Sequence, residues 1–319
     1  MMQFRMAVGG VAFGMLLWGA MANPGPLEAQ GPEGRWPLQP NDPGGRHLAP
    51  FLEGWYANED GTFSLSLGYS NLNDETYEIP LGPNNFIEPA QFDGLQPTTF
   101  FPGKNRGVFA VDLPAGMRDT DVWWTITKPN GVTTKVPGRI GSVAYQLDWF
   151  PRPHGTVPPR VTFDGQNGAG RGPPGIIAQR ELSGSVGSPV TLAVNVEEIS
   201  ERDRSDFRFA EALTLRVVWS KYQGPGDVGF TRHASTPEPE PPAAGRRGGG
   251  GGGFGGGNRP GPETISVPDD VRSTVRVLAT FSEPGQYMVR AQVDNWRATD
   301  SGSGDQCCWT NAYVRVTVR

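Results

Sequence analysis

The chain has 319 residues, a formal net charge of −5, 45 glycines and 31 prolines. That much Gly and Pro excludes an architecture of long helices, and the lack of a basic excess excludes a nucleic-acid partner. Only two cysteines and three histidines occur, and none stands at the short fixed spacings of zinc fingers or zinc proteases.

The first 22 residues have the form of an export signal. Arg5 precedes an apolar run from Met6 to Met21, and Ala20-Met21-Ala22 offers small residues where a signal peptidase cuts. A membrane-spanning helix is the alternative, but the run is short, interrupted by glycine and not followed by a basic cluster. No cysteine lies near the cleavage point and no arginine pair precedes it, which argues against lipoprotein and twin-arginine export. The expected product is secreted, periplasmic or displayed at the cell surface, with no membrane segment after cleavage.

Residues 23–50 are rich in Pro and Gly and poor in aliphatic side chains, so they are expected to form a disordered spacer. A first β-sandwich is expected over 51–150. Thr62–Ser70 alternates Phe63, Leu65, Leu67 and Tyr69 against Thr62, Ser64 and Ser66, the period of a half-buried strand. Glu75–Pro80, Gly107–Leu113, Val122–Thr127 and Val143–Trp149 repeat the pattern, and Pro129-Asn130-Gly131 marks a hairpin turn.

Residues 151–158 read as a stiff Pro-rich linker. A second sandwich follows over 159–319, with strands expected at Arg160–Asp164, Ser188–Glu197, Leu213–Ser220 and Trp309–Val318. Within it, residues 234–262 run from a Pro/Glu segment into nearly pure glycine and are expected to be a disordered insertion. Loop-closure entropy grows slowly with length, so one sandwich tolerates such an insertion. The whole reads as all-β: two immunoglobulin-like antiparallel sandwiches.

Two segments carry a family resemblance. Trp219-Ser220-Lys221 followed by Gly224-Pro225-Gly226, and Phe281-Ser282-Glu283-Pro284-Gly285-Gln286-Tyr287, resemble the PKD-like immunoglobulin-like domains of secreted bacterial proteins. The resemblance covers the C-terminal half and implies a spacer, an adhesion module or a carbohydrate-contact module.

Candidate chemistry is sparse. No Gly-x-Ser-x-Gly elbow occurs, and Gly248–Gly253 lacks the Lys-Ser/Thr of a phosphate loop. The aromatic residues Trp55, Tyr56, Trp123 and Trp124 are candidate ligand contacts. Adjacent residues on a strand face opposite ways, so either one of Trp123 and Trp124 is exposed or a loop covers it. An exposed tryptophan could stack on a sugar or meet a partner protein. Asp294, Asp300 and Asp305 lie in an oxygen-rich loop that could hold calcium, as could Asn58–Gly61, although solvated turns explain both loops. No other cofactor is implied.

Cys307 and Cys308 are adjacent and are expected to be oxidised in an exported protein. A vicinal ring, an interchain bridge and a pair of reduced thiols remain open alternatives. The expected function is non-catalytic binding or surface structure, with a cell-surface polysaccharide or another surface protein as partner. The rival is a carbohydrate-active enzyme or a carbohydrate-binding accessory module.

Overall fold

A computed structural model describes residues 45–147, 155–201, 203, 205–206, 215–236, 264–267, 272–295 and 308–319. The export-signal reading, most of the spacer and the glycine run lie outside these residues. All described residues belong to one compact unit that extends to Arg319. The chain is all-β, with two hydrophobic cores, each enclosed by antiparallel sheets.

The first core is built by β1 (Leu48–Ala57), β2 (Phe63–Asn71), β3 (Tyr77–Glu78), β4 (Asn85–Glu88), β5 (Thr99–Phe100), β6 (Gly103–Leu113), β7 (Val122–Thr127), β8 (Thr133–Gly138) and β9 (Gln146–Leu147). One sheet runs β6-β2-β1-β9, with β9 parallel to β1, and the facing sheet runs β4-β7-β8. β3 and β5 pair separately. Leu65, Leu67, Phe109, Val111, Trp124 and Ile126 meet between the sheets, and Phe109 stands edge-on to Trp124 at 5.0 Å. The β7–β8 turn forms where Asn130-Gly131 stands, with Gly131 at φ +83° and Lys128 N–H donating to Val132 O at 2.9 Å.

Three local expectations change. β1 begins at Leu48, inside the stretch read as spacer, because Leu48–Pro50 pair with Tyr69–Asn71 and bury Leu48 completely. Val143–Tyr145 is a 3-10 turn leading into the two-residue β9, and Trp149 lies outside the described residues. The polar face of β2 is buried: Ser64 Oγ donates to Asp112 Oδ1 at 2.5 Å and accepts from Asn58 Nδ2 at 2.9 Å.

The second core is built by β10 (Arg160–Thr162), β11 (Ile176–Ile177), β12 (Leu182–Gly184), β13 (Val190–Glu197), β14 (Leu215–Gln223), β15 (Val228–Arg232), β16 (Thr264–Val267), β17 (Ser273–Phe281), β18 (Gly285–Asp294) and β19 (Trp309–Val318). One sheet runs β10-β13-β17-β15. The other runs β19-β18-β14-β16, with β11 and β12 parallel along β19. Lettered in chain order, strands β10, β13, β14, β15, β17, β18 and β19 give sheets A-B-E-D and C-F-G, the immunoglobulin constant-type order. In the first sandwich, β6-β2-β1 facing β4-β7-β8 repeats the E-B-A and C-F-G halves.

The Gly/Pro turns of the two segments that carry the resemblance are corners between sheets, since β14 and β15, like β17 and β18, lie in opposite sheets. Tyr287 closes one corner: its hydroxyl donates to Glu283 O at 2.8 Å, the arrangement of a tyrosine corner. At the other corner Gly224 has φ +125°, and a Cβ there would stand 2.4 Å from the Tyr287 ring. The residues flanking the glycine run belong to one sandwich. Thr236 Oγ1 donates to Arg276 O at 2.6 Å on the near side, and β16 pairs with β14 on the far side.

The two sandwiches meet along a buried seam. The inner face of the C-F-G sheet carries Val217, Trp219, Val289, Ala291 and Val314 into its own core. Its outer face packs Tyr222, Met288 and Tyr313 into the first sandwich's core. Polar groups cross with them. Tyr313 and Tyr222 hydroxyls donate to Val108 O at 2.7 Å and Leu95 O at 2.6 Å. Asn311 Nδ2 donates to Gly107 O at 2.8 Å, while its Oδ1 accepts from Arg290 Nε and Nη2 at 3.0 and 2.7 Å. Lys221 reaches Glu78 at 2.9 Å. Burial pushes both tyrosine hydroxyls well above their ordinary pKa. Of the stretch read as a stiff linker, Thr156–Pro158 is buried, as is Pro159 beyond it, and Val157 O and Pro159 O accept from Asn295 and Thr310.

Candidate functional site

The four aromatic candidates separate by burial. Trp55, Tyr56 and Trp124 are buried. Trp55 Nε1 donates to Ser142 O at 3.2 Å and Trp124 Nε1 to Asn85 Oδ1 at 3.0 Å. These three rings are spent on packing and are not available to a ligand, because segments distant in sequence close over them. β9 lies along Trp55 and Tyr56, and β4 lies along Trp124.

Trp123 alone is half-exposed. It stands on the outer face of β4-β7-β8, between Glu88 and Pro137 in register, beside the row Phe86, Thr125 and Lys135. The register then continues to Thr127 and Thr133, whose hydroxyls are 2.9 Å apart. The Lys135 ammonium sits 4.8 Å from the Trp123 ring centre, a cation–π contact that holds both side chains. The result is a flat patch with two aromatic rings, a proline, hydroxyls and both signs of charge. Such a surface can stack on a planar apolar face and hydrogen-bond around it.

Of the three carboxylate candidates only Asp294 is among the described residues. Asp294 is buried and paired with Arg216 at 2.9 Å, while Asp300 and Asp305 lie outside the described residues. No group of three or more potential metal-ligating side chains occurs among the described residues. In the Asn58–Gly61 turn, Asp60 accepts from the Thr62 amide and hydroxyl, which hold its carboxyl below the usual range. Cys308 is buried and disulfide-bonded, and Cys307 lies outside the described residues.

The sequence singled out as functional candidates none of the residues around a recess in the second sandwich. A cleft of about 570 Å³ opens between the two sheets of the second sandwich. Phe163, Ala178, Leu182, Val194 and Val314 line it, with Asp164, Gln166, Arg180, Thr191 and Asn195 around them. Asn195 Nδ2 donates to Asp164 Oδ1 at 2.7 Å, and Gln166 Nε2 to Ile177 O at 3.0 Å. The one legible signal was the alternating strand that became β13. Its free edge depends on where β10 ends, which no local pattern reveals.

No helix among the described residues is long and apolar enough to cross a membrane. No protein-family model matches the chain, and no curated protein matches it. Similar solved structures include the D00-D0 domain of Intimin, at 11% identity over 85% of this chain and 100% of that one, with a TM-score of 0.23. The D0-D1 domain of Intimin gives 11%, 85%, 98% and 0.23. The Yersinia pseudotuberculosis adhesin InvE gives 10%, 85%, 58% and 0.23. At that TM-score these likenesses carry no argument, and the immunoglobulin-like character of the chain rests on its own strand order and tyrosine corner.

Proposed function

We propose that the protein is an exported, non-catalytic binding or surface-structural module, built as one stiff body from two sandwiches. The observation that carries this reading is the seam. Tyr222, Asn311 and Tyr313 spend buried hydrogen bonds on fixing one sandwich against the other, and Arg290 holds the Asn311 side chain from within the second. A linked pair free to swing would leave these groups solvated. Within the immunoglobulin-like kind, the Trp219-Ser220-Lys221 segment and the Phe281–Tyr287 corner favour a PKD-like second sandwich.

The contact surface in this proposal is the Trp123 patch, and the partner is a cell-surface polysaccharide or another surface protein. The calcium reading of Asp300 and Asp305 and the vicinal ring of Cys307 and Cys308 stay with the proposal as companions.

The test is a glycan array and an array of purified surface proteins, probed with the full chain and with Trp123→Ala. Binding to one class that falls at least about tenfold in the variant, with an unchanged unfolding midpoint, supports the patch. Silence on both arrays, or binding indifferent to Trp123, overturns it.

A further inference from the structure

β13 has two edges, and only one is fully used. On one side Val190–Val196 pair with β17, residue by residue, from Val190↔Ala279 to Val196↔Ser273. On the other side β10 pairs only with Asn195, Val196 and Glu197. The chain then leaves the lane: Gly165 has φ +71°, Gln166 N–H donates to Phe163 O, and Gly170 bridges back to Val161. Among the described residues no strand lies beside Val190–Val194 on this side. The vacated lane coincides with the cleft, which Thr191, Ala193, Val194 and Asn195 line.

We propose that this cleft binds an extended peptide, which adds as a strand to the β10 side of β13. Along this stretch of about 17 Å, Thr191 and Ala193 turn their N–H and C=O groups to the open lane, in alternation with the residues that bond β17, and main-chain bonds of this kind supply affinity without reading sequence. Specificity comes from what lies on either side of the lane. Alternate side chains of the added strand point inward to Phe163, Ala178, Leu182, Val194 and Val314, so the peptide carries small branched apolar residues at every second position.

The charge of the occupant follows from the rim. Arg180 is exposed at the cleft and has no carboxylate partner among the described residues, whereas Asp164 is already held by Asn195. The peptide therefore carries an acidic residue on its outward face. The occupant is a single strand and not the sheet edge of a second copy, because Ala178–Leu182 along β19 wall the far side of the lane. This site is separate from the Trp123 patch and stands or falls independently of it.

The probe is a capped peptide of about seven residues that alternates valine with threonine and carries one outward glutamate. Its N-methylated counterpart keeps every side chain but loses the donors on one edge. Amide hydrogen exchange and chemical shifts are followed by NMR on the full chain. The expected result is slowed exchange within Val190–Val194, a shift of the Arg180 side chain, and no response to the N-methylated peptide. Arg180→Glu, an exposed substitution that leaves the core intact, should weaken the probe about fivefold. Equal binding of both peptides, perturbations confined to another face, or no binding at millimolar peptide overturns the proposal.

Discussion

Asn311→Leu probes the seam at its most loaded point. Asn311 is fully buried; its Oδ1 accepts both bonds from Arg290, and its Nδ2 donates to Gly107 O and Pro173 O at 2.8 Å each. Leucine has similar bulk and none of these partners. Gly107 O keeps the Trp309 indole as a donor, so Pro173 O is the carbonyl left bare, at about 1–3 kcal/mol. The larger loss is the Arg290 guanidinium, 8% exposed and stripped of its acceptor. Leaving a buried charged donor without its acceptor costs more than the roughly 1–3 kcal/mol of a neutral group, so the total should exceed about 3 kcal/mol.

Arg290→Met removes the charge itself. The double variant Arg290→Met/Asn311→Leu should therefore be more stable than Asn311→Leu alone, with a coupling of about 1–3 kcal/mol. Urea unfolding at neutral pH, followed by circular dichroism and tryptophan fluorescence, gives all four corners of the cycle. Additive effects, or a loss below about 1 kcal/mol in the single variant, would refute the reasoning.

Trp219→Ala removes a fully buried ring from the second core and should cost about 3–5 kcal/mol by urea titration, while a neutral result would displace Trp219 from the core. Burial raises the Asp112 carboxyl above the ordinary aspartate pKa, against the Ser64 hydrogen bond. The folded state thus holds that proton more tightly than the unfolded chain, so stability falls as pH rises from the ordinary value through the folded one. Asp112→Asn should flatten that part of the urea-midpoint curve, and a steeper curve would contradict the assignment. Replacing residues 237–262 by a short Gly/Ser loop, keeping Thr236 on Arg276, should leave the unfolding midpoint unchanged or slightly raised; collapse of the second sandwich would contradict the one-sandwich reading. Intact-mass analysis of the exported protein should find a monomer two hydrogens lighter than the reduced chain if Cys307 and Cys308 close on each other, and a covalent dimer or two free thiols would remove the ring.

Local pattern carried much of the fold. Alternation marked β2, β7, β13 and β19, Asn130-Gly131 marked the β7–β8 turn, and Phe281–Tyr287 marked the corner that Tyr287 closes. The seam was hidden because its residues look solvated. Asn311 is polar and Tyr222 and Tyr313 carry hydroxyls, and their partners are backbone carbonyls far away in sequence, Gly107, Leu95 and Val108. A polar outer face is normally read as facing water, and nothing local distinguishes one that faces another sandwich. The burial of Trp55, Tyr56 and Trp124 was hidden for the same reason. Trp55 and Tyr56 read as candidate ligand contacts, yet β9, at Gln146–Leu147, returns from far along the chain to lie beside them. Trp123 and Trp124 separated as strand alternation requires.

The central claim is that the two sandwiches move as one body, and residual dipolar couplings test it most directly. Backbone amide couplings from β1–β8 and from β13–β19 are measured on the full chain in one alignment medium. Fixed by the seam, both sets should fit a single alignment tensor of the same magnitude and orientation. Two tensors of different magnitude would mean that the sandwiches reorient independently, and would contradict the account.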